Sequence, residues 1–266
     1  MKSVLKLTVL CSLALVCSGA NAGILDGIDA YWPMDGDLMD SAGAVADNGT
    51  IQGTAGSVSF GDGKFGQAGI FDGEDGYVSV ADSVDLSKGG QDMSISAWFR
   101  VDAFDTNWQA LLGKGEGSNY RVARQGGESA MAFVGGTPDL RGGPAVDDGE
   151  WHHFAGTSVN GGVASMYIDG VLVEDSTTRS PDTNALIINE RSTDPPELWI
   201  GNNAGAPGRE WEGGIDDLAI WGRALSADEV SMIYSHGGPL STIPEPGTAS
   251  LLGLGLLGLL AVRRRR

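Results

Sequence analysis

Hydrophobic and polar residues alternate most regularly in the last quarter of the chain, over residues 215–221. A period of two predicts a β-strand with one face turned toward a core. On this pattern Asp216 shares a face with Leu218 and Ile220, while Asp217 falls on the other face. A carboxylate that faces a core is costly unless it is hydrogen-bonded, paired or bound to a metal. Asp216 is therefore the first residue that needs a structural or functional explanation.

A short helix is predicted directly after this strand. Ser226 occupies the N-cap position and Glu229 stands three residues later, which is the spacing of a capping box. The helix is expected to run to about residue 234 or 235, because Gly237, Gly238 and Pro239 then stop it. We expect this helix to cover the end of the sheet that the preceding strand closes.

The rest of the chain contains short runs with the same alternation, separated by turns rich in Gly and Asp. Residues 93–101 form a half-buried strand pattern, and Asp169-Gly170 between two β-forming runs predicts a two-residue hairpin. Runs this short favour an all-β sandwich or jelly roll. The other runs are 28–32, 57–60, 68–71, 77–80, 110–112, 120–123, 130–134, 151–159, 163–168, 171–174 and 198–200.

The N-terminal segment has the composition of a secretory signal peptide. Residues 1–22 contain Lys2 and Lys6, then an apolar run, then Ala20-Asn21-Ala22 as a small-x-small cleavage site. Cys17 raises the alternative of a lipoprotein anchor, although the bulky Val16 before it is a poor fit. Both cysteines lie in this segment, so the mature chain is predicted to have no disulfide and no cysteine–metal site.

The C-terminal segment, residues 244–266, has three parts: a polar motif of Pro244, Glu245 and Pro246, an apolar run over 249–262, and four arginines. The apolar run has 14 residues, fewer than the roughly 20 that a comfortable spanning helix needs. The segment resembles a PEP-CTERM sorting signal. That resemblance implies transient insertion in the inner membrane and processing by an exosortase near the motif. A plain C-terminal membrane anchor is the alternative.

Charge and length limit the functions that the remaining domain can have. Without the two ends, 11 basic and 34 acidic residues remain, so the net charge is near −23. Nucleic acid and anionic lipid are repelled by such a surface and are not expected as partners. Residues 23–237 suffice for one sizeable core, which predicts a single domain followed by a linker over 238–243.

Several motifs resemble bacterial laminin-G-like domains of the concanavalin A-like superfamily. The closing segment reads G-x-I-D-D-x-x-I-W-x-R-A-L-S from Gly213 to Ser226. The opening Y-W-P-M-D-G at 31–36, the stretch F-D-G-E-D-G-Y-V at 71–78 and the strand W-H-H-F-A at 151–155 also resemble this family. The resemblance covers about residues 28–236. It implies an all-β, concanavalin A-like antiparallel jelly-roll sandwich with one short C-terminal helix.

The resemblance also implies a structural calcium ion that ties the first strands to the last. Its candidate ligands are Asp216, Asp35, Asp72 and Asp75, since calcium prefers hard oxygen ligands. The alternative is that these aspartates form turns and caps, because Asp-Gly pairs are ordinary turn formers. No EF-hand spacing is present.

No catalytic motif is recognisable. The E-x-D-x-x-E pattern of glucanases with this fold is absent, as are G-x-S-x-G, H-E-x-x-H and a cysteine nucleophile. His152 and His153 are adjacent on one strand and so point to opposite faces. We expect one of them to be packed and the other solvated.

The chemistry left for the domain is ligand binding. Trp108 and Trp211 lie in stretches that read as loops, and Arg209 stands close to Trp211 in the sequence. Exposed indoles are good surfaces for sugar rings, although large aromatics more often fill cores. The expected function is therefore a secreted or cell-surface module, not an enzyme, that binds extracellular glycan or another matrix polymer. A glycan-active hydrolase of the same fold and a purely structural matrix protein are the alternatives.

Overall fold

A computed structural model describes residues 23–116, 119–135, 139–179 and 197–244. The chain divides into two compact units, Leu25–Ile243 and a second unit made of Met1–Ile24 and Pro244–Arg266. The second unit lies almost wholly outside the described residues, and with it lie the predicted signal peptide, the apolar tail, Glu245 and Pro246. No helix among the described residues is long and apolar enough to cross a membrane.

Within the described residues the chain forms fifteen strands and two α-helices. The strands are β1 (Ile28–Trp32), β2 (Gly49–Gln52), β3 (Val58–Asp62), β4 (Gln67–Asp72), β5 (Tyr77–Val80), β6 (Met93–Val101), β7 (Ala110–Gly113), β8 (Tyr120–Arg124), β9 (Met131–Gly135), β10 (Leu140–Gly142), β11 (Trp151–Ser158), β12 (Ala164–Ile168), β13 (Val171–Asp175), β14 (Leu198–Ile200) and β15 (Glu212–Trp221). The helices are α1 (Ser176–Arg179) and α2 (Ala227–Ser235), and a 3₁₀ turn follows at Leu240–Thr242.

Two antiparallel sheets make the sandwich. The eight-stranded sheet has the order β13-β12-β11-β6-β15-β4-β3, with β1 also paired to β15, and the seven-stranded sheet has the order β10-β9-β8-β7-β14-β5-β2. The described strand pairs are all antiparallel. The predicted all-β jelly-roll sandwich is therefore confirmed.

The alternation along each strand explains which side chains form the core. On β6, Ile95, Ala97 and Phe99 enter the core cluster, and from the other sheet Val122 and Phe133 do so. The residues between them face away from the core, on the outer face of their own sheet. Each sheet therefore has one apolar inner face and one outer face on which polar and aromatic residues are available for other roles.

The strand β15 departs from the alternation that its sequence predicts. Its register with β6 shifts between Asp216 and Ala219, and Asp217 has a left-handed φ of 51°. The shift is a β-bulge, which lets Leu218 and Ile220 return to the core. Asp216 pairs with the outward-facing Trp98 and does not share a face with Leu218 and Ile220. The predicted phase of Asp216 is wrong, because a bulge adds a residue that a strict period of two cannot show.

Asp216 and Asp217 are nevertheless both buried. Asp216 Oδ2 accepts a hydrogen bond of 2.9 Å from the Phe65 N–H, and Asp217 accepts one from the Tyr31 hydroxyl and one of 2.9 Å from the Leu240 N–H. Burial, above all, raises the pKa of Asp216 to about 7 and that of Asp217 to about 6. The charge of each nearby carboxylate adds to this effect.

The C-terminal helix forms as predicted. Ser226 accepts a hydrogen bond from the Glu229 N–H and the Glu229 side chain bonds back to the Ser226 backbone, so the capping box is present. Residues 238–243, expected to be a linker, instead belong to the compact unit. Leu240 and Ile243 are buried, and the Leu240 N–H binds the Asp217 carboxylate. The last described residues are therefore tied to the centre of the eight-stranded sheet.

The Asp169-Gly170 hairpin is also confirmed, since both residues have the left-handed φ values that such a turn requires, 51° and 74°. Two strands were not foreseen in the sequence, β2 and β10. Both are short and both lie at an edge of the seven-stranded sheet. Edge strands this short carry too little periodicity to be recognised from sequence alone.

The raised pKa of Asp216 predicts a pH dependence of stability. An acid whose pKa is higher in the folded than in the unfolded protein binds its proton more tightly in the folded state. Its contribution to folding stability is therefore complete below about pH 4 and is lost as the pH rises through about 7. One pKa unit corresponds to about 1.4 kcal/mol, so we expect a loss on the order of a few kcal/mol across this window without metal. Urea unfolding at a series of pH values in a chelator measures it.

The variant Asp216→Asn should remove the part of this loss that Asp216 causes, because a neutral amide does not titrate, while the part caused by Asp217 remains. The matched control is Asp62→Asn, which changes an exposed carboxylate at the end of β3. If both variants lose stability with rising pH as steeply as the unmodified protein, burial of Asp216 does not govern its ionisation.

Candidate ligand-binding face

The outer face of the seven-stranded sheet gathers aromatic and charged side chains from strands that are far apart in sequence. On β8, Tyr120 and Val122 are core residues, so Arg121 between them points outward. On β14, Leu198 and Ile200 are core residues, so Trp199 points outward. The same alternation turns Arg141 of β10 and Tyr77 of β5 to this face.

Trp108 lies on this face between two arginines. Its ring centroid is 5.0 Å from Cζ of Arg121 and 5.1 Å from Cζ of Arg141. Both distances are within the range of a cation–π interaction. The Trp108 backbone has a left-handed φ of 62°, and its N–H donates to the Gly126 carbonyl at 2.9 Å. The indole is thus held in place by its backbone and by two guanidinium groups, and it remains partly exposed.

Glu116 connects the polar groups beside Trp108. Its Oε1 accepts hydrogen bonds from Arg121 Nη1 at 2.8 Å, from Arg209 Nη1 at 2.6 Å and from Asn203 Nδ2. Asn203 is fully buried over the position of Gly113 on β7, where a Cβ would lie 2.7 Å from Asn203 Oδ1. A side chain larger than glycine at position 113 would therefore displace Asn203 and the network around Glu116.

Asp139 completes the charge pairing on the other side of Trp108. It accepts from Arg121 at 3.3 Å and from Arg141 at 3.0 Å. The Arg121 side chain is only 5% exposed, whereas those of Arg141, Glu116 and Arg209 are 37%, 36% and 22% exposed. A ligand on this face can therefore reach Arg141, Glu116 and Arg209, while Arg121 supports them from below.

The same face also carries a pair of aromatic side chains, Tyr77 and Trp199. The rings of Tyr77 and Trp199 have their centroids 4.2 Å apart, and the Trp199 indole N–H donates to Glu197 at 3.1 Å. β14 is separated from β8 by β7 alone, so Trp199 and Arg121 are about 10 Å apart across the sheet. We name the whole surface the Trp108 face; its members are Trp108, Glu116, Arg121, Arg141, Arg209, Trp199 and Tyr77.

Two of the three predicted ligand-binding residues, Trp108 and Arg209, lie on the Trp108 face. Trp211 does not, and its prediction as a ligand surface is wrong. Its side chain is fully buried and its ring meets Phe99 and Phe104 edge to face, with centroids 5.9 Å apart in each case. It reads as a loop residue because it precedes β15, but it fills the end of the core.

The sequence reasoning missed Arg121, Arg141 and Glu116. The alternation in Y-R-V-A-R could have placed Arg121 on an outer face, since Tyr120 and Val122 are apolar. Nothing local indicates that Arg141 and Trp108 meet it there. That contact depends on the pairing of β8, β9 and β10.

The four predicted calcium ligands do not come together. Asp35 and Asp216 both contact the loop 63–67, because Asp35 Oδ1 accepts from the Gln67 N–H at 2.7 Å and Asp216 binds the Phe65 N–H. Asp72, the last residue of β4, and Asp75 instead accept hydrogen bonds from backbone N–H groups in turns, which is the role that the alternative gave them. Asp72 accepts from the Glu74 N–H at 3.0 Å, and Asp75 binds both the N–H and the hydroxyl of Thr54.

Within the described parts of the chain, no group of three His, Cys, Asp or Glu side chains is placed to share one metal ion. A calcium ion near Asp35 and Asp216 would therefore need backbone carbonyl or water oxygens as well. The two carboxylates are suited to a cation in one respect, since the charge of Asp35 is among the causes that raise the pKa of Asp216. A cation between them would remove that repulsion.

The adjacent histidines have separate environments. His153 is fully buried, its Nε2 is 2.8 Å from Ser96 Oγ, and burial lowers its pKa to about 4. His152 is partly buried between Asp169 and Asp148, with nitrogen–oxygen distances of 2.8 and 3.2 Å, and the hydrogen bond to Asp169 contributes most to raising its pKa. The two rings have different partners, so they do not form a catalytic pair.

Comparisons with known proteins agree with this fold. Residues 242–266 match the PEP-CTERM protein-sorting motif. Over 111 residues the chain is 32% identical to the mouse protein named Sushi, von Willebrand factor type A, EGF and pentraxin domain-containing protein 1. The aligned stretch is 40% of this chain and 3% of the mouse protein, so the chain spans a very small part of that relative.

Two solved structures show the same fold at low identity. Domain 4 of AbnA, a GH43 extracellular arabinanase from Geobacillus stearothermophilus in complex with arabinotriose, is 24% identical with a TM-score of 0.60. That match covers 78% of this chain and 98% of the domain. The binding domain of Paraclostridial Mosquitocidal Protein 1 is 15% identical with a TM-score of 0.58, covering 80% of this chain and 53% of that one.

The family itself is shown by a longer match. Residues 72–231, more than half of the chain, match the laminin G-type model described as the concanavalin A-like lectin/glucanases superfamily. The predicted resemblance to laminin-G-like domains and to a PEP-CTERM signal is thereby confirmed. This chain belongs to the concanavalin A-like lectin/glucanases superfamily.

Proposed function

We propose that this protein is an exported, non-catalytic module that binds extracellular polysaccharide through the Trp108 face. The observation that carries this proposal is the position of Trp108, a partly exposed indole held between the guanidinium groups of Arg121 and Arg141. Sugar rings present C–H groups to such an aromatic surface. Their hydroxyl groups then need polar partners at the edge of the ring.

The Trp108 face supplies those partners in a fixed arrangement. Arg141, Glu116 and Arg209 are accessible and are themselves held by salt bridges. Trp199 provides a second aromatic surface, about 10 Å from Arg121 across the sheet. Two aromatic surfaces with polar groups between them suit several consecutive residues of a linear glycan. This geometry favours a polymer over a single monosaccharide.

The carboxylates of the same face support a non-catalytic role. Retaining and inverting glycosidases need two carboxyl groups free to flank the glycosidic bond. Beside Trp108, the carboxylates Glu116 and Asp139 are both engaged by arginine, and near Trp199 the carboxylate of Glu197 accepts from the indole N–H. One structural neighbour, domain 4 of the arabinanase AbnA, was solved in complex with arabinotriose, which supports glycan binding without assigning an activity to this chain.

Binding to arabinotriose and to a panel of soluble plant and bacterial polysaccharides tests this proposal. We expect Trp108→Ala to weaken binding by about tenfold, the effect of losing one aromatic contact of roughly 1.4 kcal/mol. Trp199→Ala should weaken binding to polymers more than binding to a trisaccharide. Isothermal titration calorimetry and affinity electrophoresis measure these changes, and the glycan should be recovered uncleaved.

The matched control for this experiment is Met232→Ala, which shortens an exposed side chain of α2 on the other sheet. It should bind as the unmodified protein does. Two results would contradict the proposal. One is that the Trp108→Ala variant binds each glycan as tightly as the unmodified protein does, and the other is the release of reducing ends from the bound glycan.

We further propose that the protein is exported and then processed by an exosortase, which would place it in the cell envelope or outside the cell. The support for this is the signal-like segment 1–22 and the match of residues 242–266 to a sorting motif. Transient insertion of the apolar run 249–262 in the inner membrane belongs to the same proposal. The four terminal arginines would then remain on the cytoplasmic side.

Replacing Pro244, Glu245 and Pro246 by alanine should leave the precursor uncleaved and retained in the membrane fraction. Immunoblotting of cell fractions follows the retention, and mass spectrometry of the unmodified protein from its host should find residues 263–266 removed. Replacing Ser241 by alanine is the control, because this exposed residue lies just before the matched segment 242–266. Recovery of the unmodified protein with all four arginines attached argues instead for a permanent anchor.

A structural calcium ion at Asp35 and Asp216 is a separate proposal. It rests on the two carboxylates that meet at the loop 63–67 and on the raised pKa of Asp216. When bound there, the ion would stabilise the ionised form of Asp216. Asp72 and Asp75 are left out of this proposal, since both lie in turns.

Millimolar calcium should raise the melting temperature at pH 7.5 by several degrees, because a ligand at 1,000 times its dissociation constant adds about 4 kcal/mol to folded-state stability. Asp216→Asn and Asp35→Asn should lose this response, while Asp72→Asn should keep it. Magnesium should substitute poorly, since it prefers a smaller octahedral shell. An identical melting temperature with chelator and with calcium would leave the two aspartates as hydrogen-bonded supports of the loop.

A further inference from the structure

A second aromatic pocket lies on the opposite side of the sandwich, on the outer face of the eight-stranded sheet. It encloses about 340 Å³ and is lined by four aromatic side chains, Phe65, Trp98, Trp151 and Tyr234. This volume is within the range of small-ligand sites, which are mostly apolar with a few well-placed polar groups. Nothing in the proposed role of the Trp108 face accounts for this pocket.

Four separate elements build the pocket. Trp98 comes from β6 and Trp151 from β11, while Tyr234 comes from α2 and stacks on Trp98 with centroids 5.7 Å apart. Phe65, from the loop between β3 and β4, meets the edge of Trp98 at 5.7 Å. Aromatic rings are thus brought together here by contacts between distant parts of the chain.

Space for Trp151 depends on a glycine. A Cβ at Gly214 on β15 would lie only 2.6 Å from Cη2 of Trp151. The absence of a side chain at this position lets the indole lie against the sheet, with Cζ of Arg100 at 5.5 Å from its ring centroid. Trp151 is partly exposed, and Tyr234 is 38% exposed, so both rings are open to a ligand.

The polar groups of the pocket fall into two classes. His152 and Asp169 are bonded to each other at 2.8 Å, and His152 is also bonded to Asp148. Lys64 lies 4.2 Å above the Trp98 ring and has no carboxylate partner within the described residues. Trp98 Nε1 is buried and also lacks a hydrogen-bond partner among the described residues. Lys64 is exposed, so its ammonium group can donate hydrogen bonds to the oxygens of a ligand in the pocket.

We propose that this pocket, which we name the Trp151 pocket, is a second glycan-binding site that holds one or two sugar residues. The apolar faces of the sugar pack on Trp151 and Tyr234, and its oxygens accept hydrogen bonds from Lys64. Hydroxyl and carboxylate oxygens both accept hydrogen bonds, so the ligand is either a neutral sugar or a uronic acid. With the Trp108 face on the other sheet, one protein molecule could then hold two separate polysaccharide chains.

Titration of the purified Trp108→Ala variant with xylotriose and with trigalacturonic acid isolates the Trp151 pocket from the Trp108 face. We expect one of the two trisaccharides to bind in calorimetry. In this background Tyr234→Ala should weaken that binding about tenfold, as expected for one stacked ring. Met232→Ala is the matched control, because it changes another exposed side chain of α2 and should leave the affinity unchanged.

Lys64→Gln separates the two sources of the ligand. If trigalacturonic acid binds and Lys64→Gln weakens that binding, the pocket is assigned to uronic-acid glycans. If xylotriose binds more tightly than trigalacturonic acid, the pocket is assigned to neutral glycans. Failure of both trisaccharides to bind, or equal affinities for the Tyr234→Ala and Met232→Ala variants, would overturn the proposal. Neither result bears on the Trp108 face, whose own test compares the unmodified protein with the Trp108→Ala variant.

Discussion

The bulge at Asp217 in β15 is the constraint on which most of the structure depends. β15 is the strand that pairs with β1, β4 and β6, so it joins the first strands of the domain to the central ones. The extra residue turns Asp216 outward and returns Leu218 and Ile220 to the core. One carboxylate then holds the loop 63–67 and the other holds Tyr31 and Leu240. Asp217 thus joins β1 and the last turn of the compact unit to the centre of the sheet, and Asp216 joins the loop 63–67 to it. Burial of the two acids raises both pKa values, so keeping them ionised opposes folding.

Signals that are local in sequence predicted the structure well. The capping box of Ser226 and Glu229 and the hairpin at Asp169 each depend on a few neighbouring residues, and both form. The phase of Asp216 was mistaken because the bulge results from the pairing of β15 with its neighbours. Trp211 was mistaken because a loop-like sequence can still fill the end of a core. In both cases the deciding interaction lies between residues distant in sequence.

The candidate sites show the same limit. A tryptophan in a loop and an arginine on a strand are each visible in the sequence, but their stacking is not. Trp108 meets Arg121 and Arg141 only because β8 and β10 both pair with β9 and turn the same face outward. The Trp151 pocket likewise depends on a contact across β6, where the Trp151 indole of β11 lies against Gly214 of β15. The types of residue in a binding face could thus be anticipated, whereas its composition required the sheet order.

The strong acidity of the domain makes the placement of its few cations informative. Without the two terminal segments, the chain has a net charge near −23 and only 11 basic residues, and three of its arginines lie on the Trp108 face. At physiological ionic strength charges interact over about 8 Å. A glycan at the proposed Trp108 face would therefore meet Arg141 and Arg209 together with the carboxylates paired to them, and one in the Trp151 pocket would meet Lys64 and Asp169. Charges farther away are largely screened. If both sites bind, their positions on opposite sheets allow one molecule to join two polymer chains but prevent both sites from holding adjacent residues of one chain. Binding at two such sites strengthens attachment to a matrix more than it strengthens affinity for a short oligosaccharide.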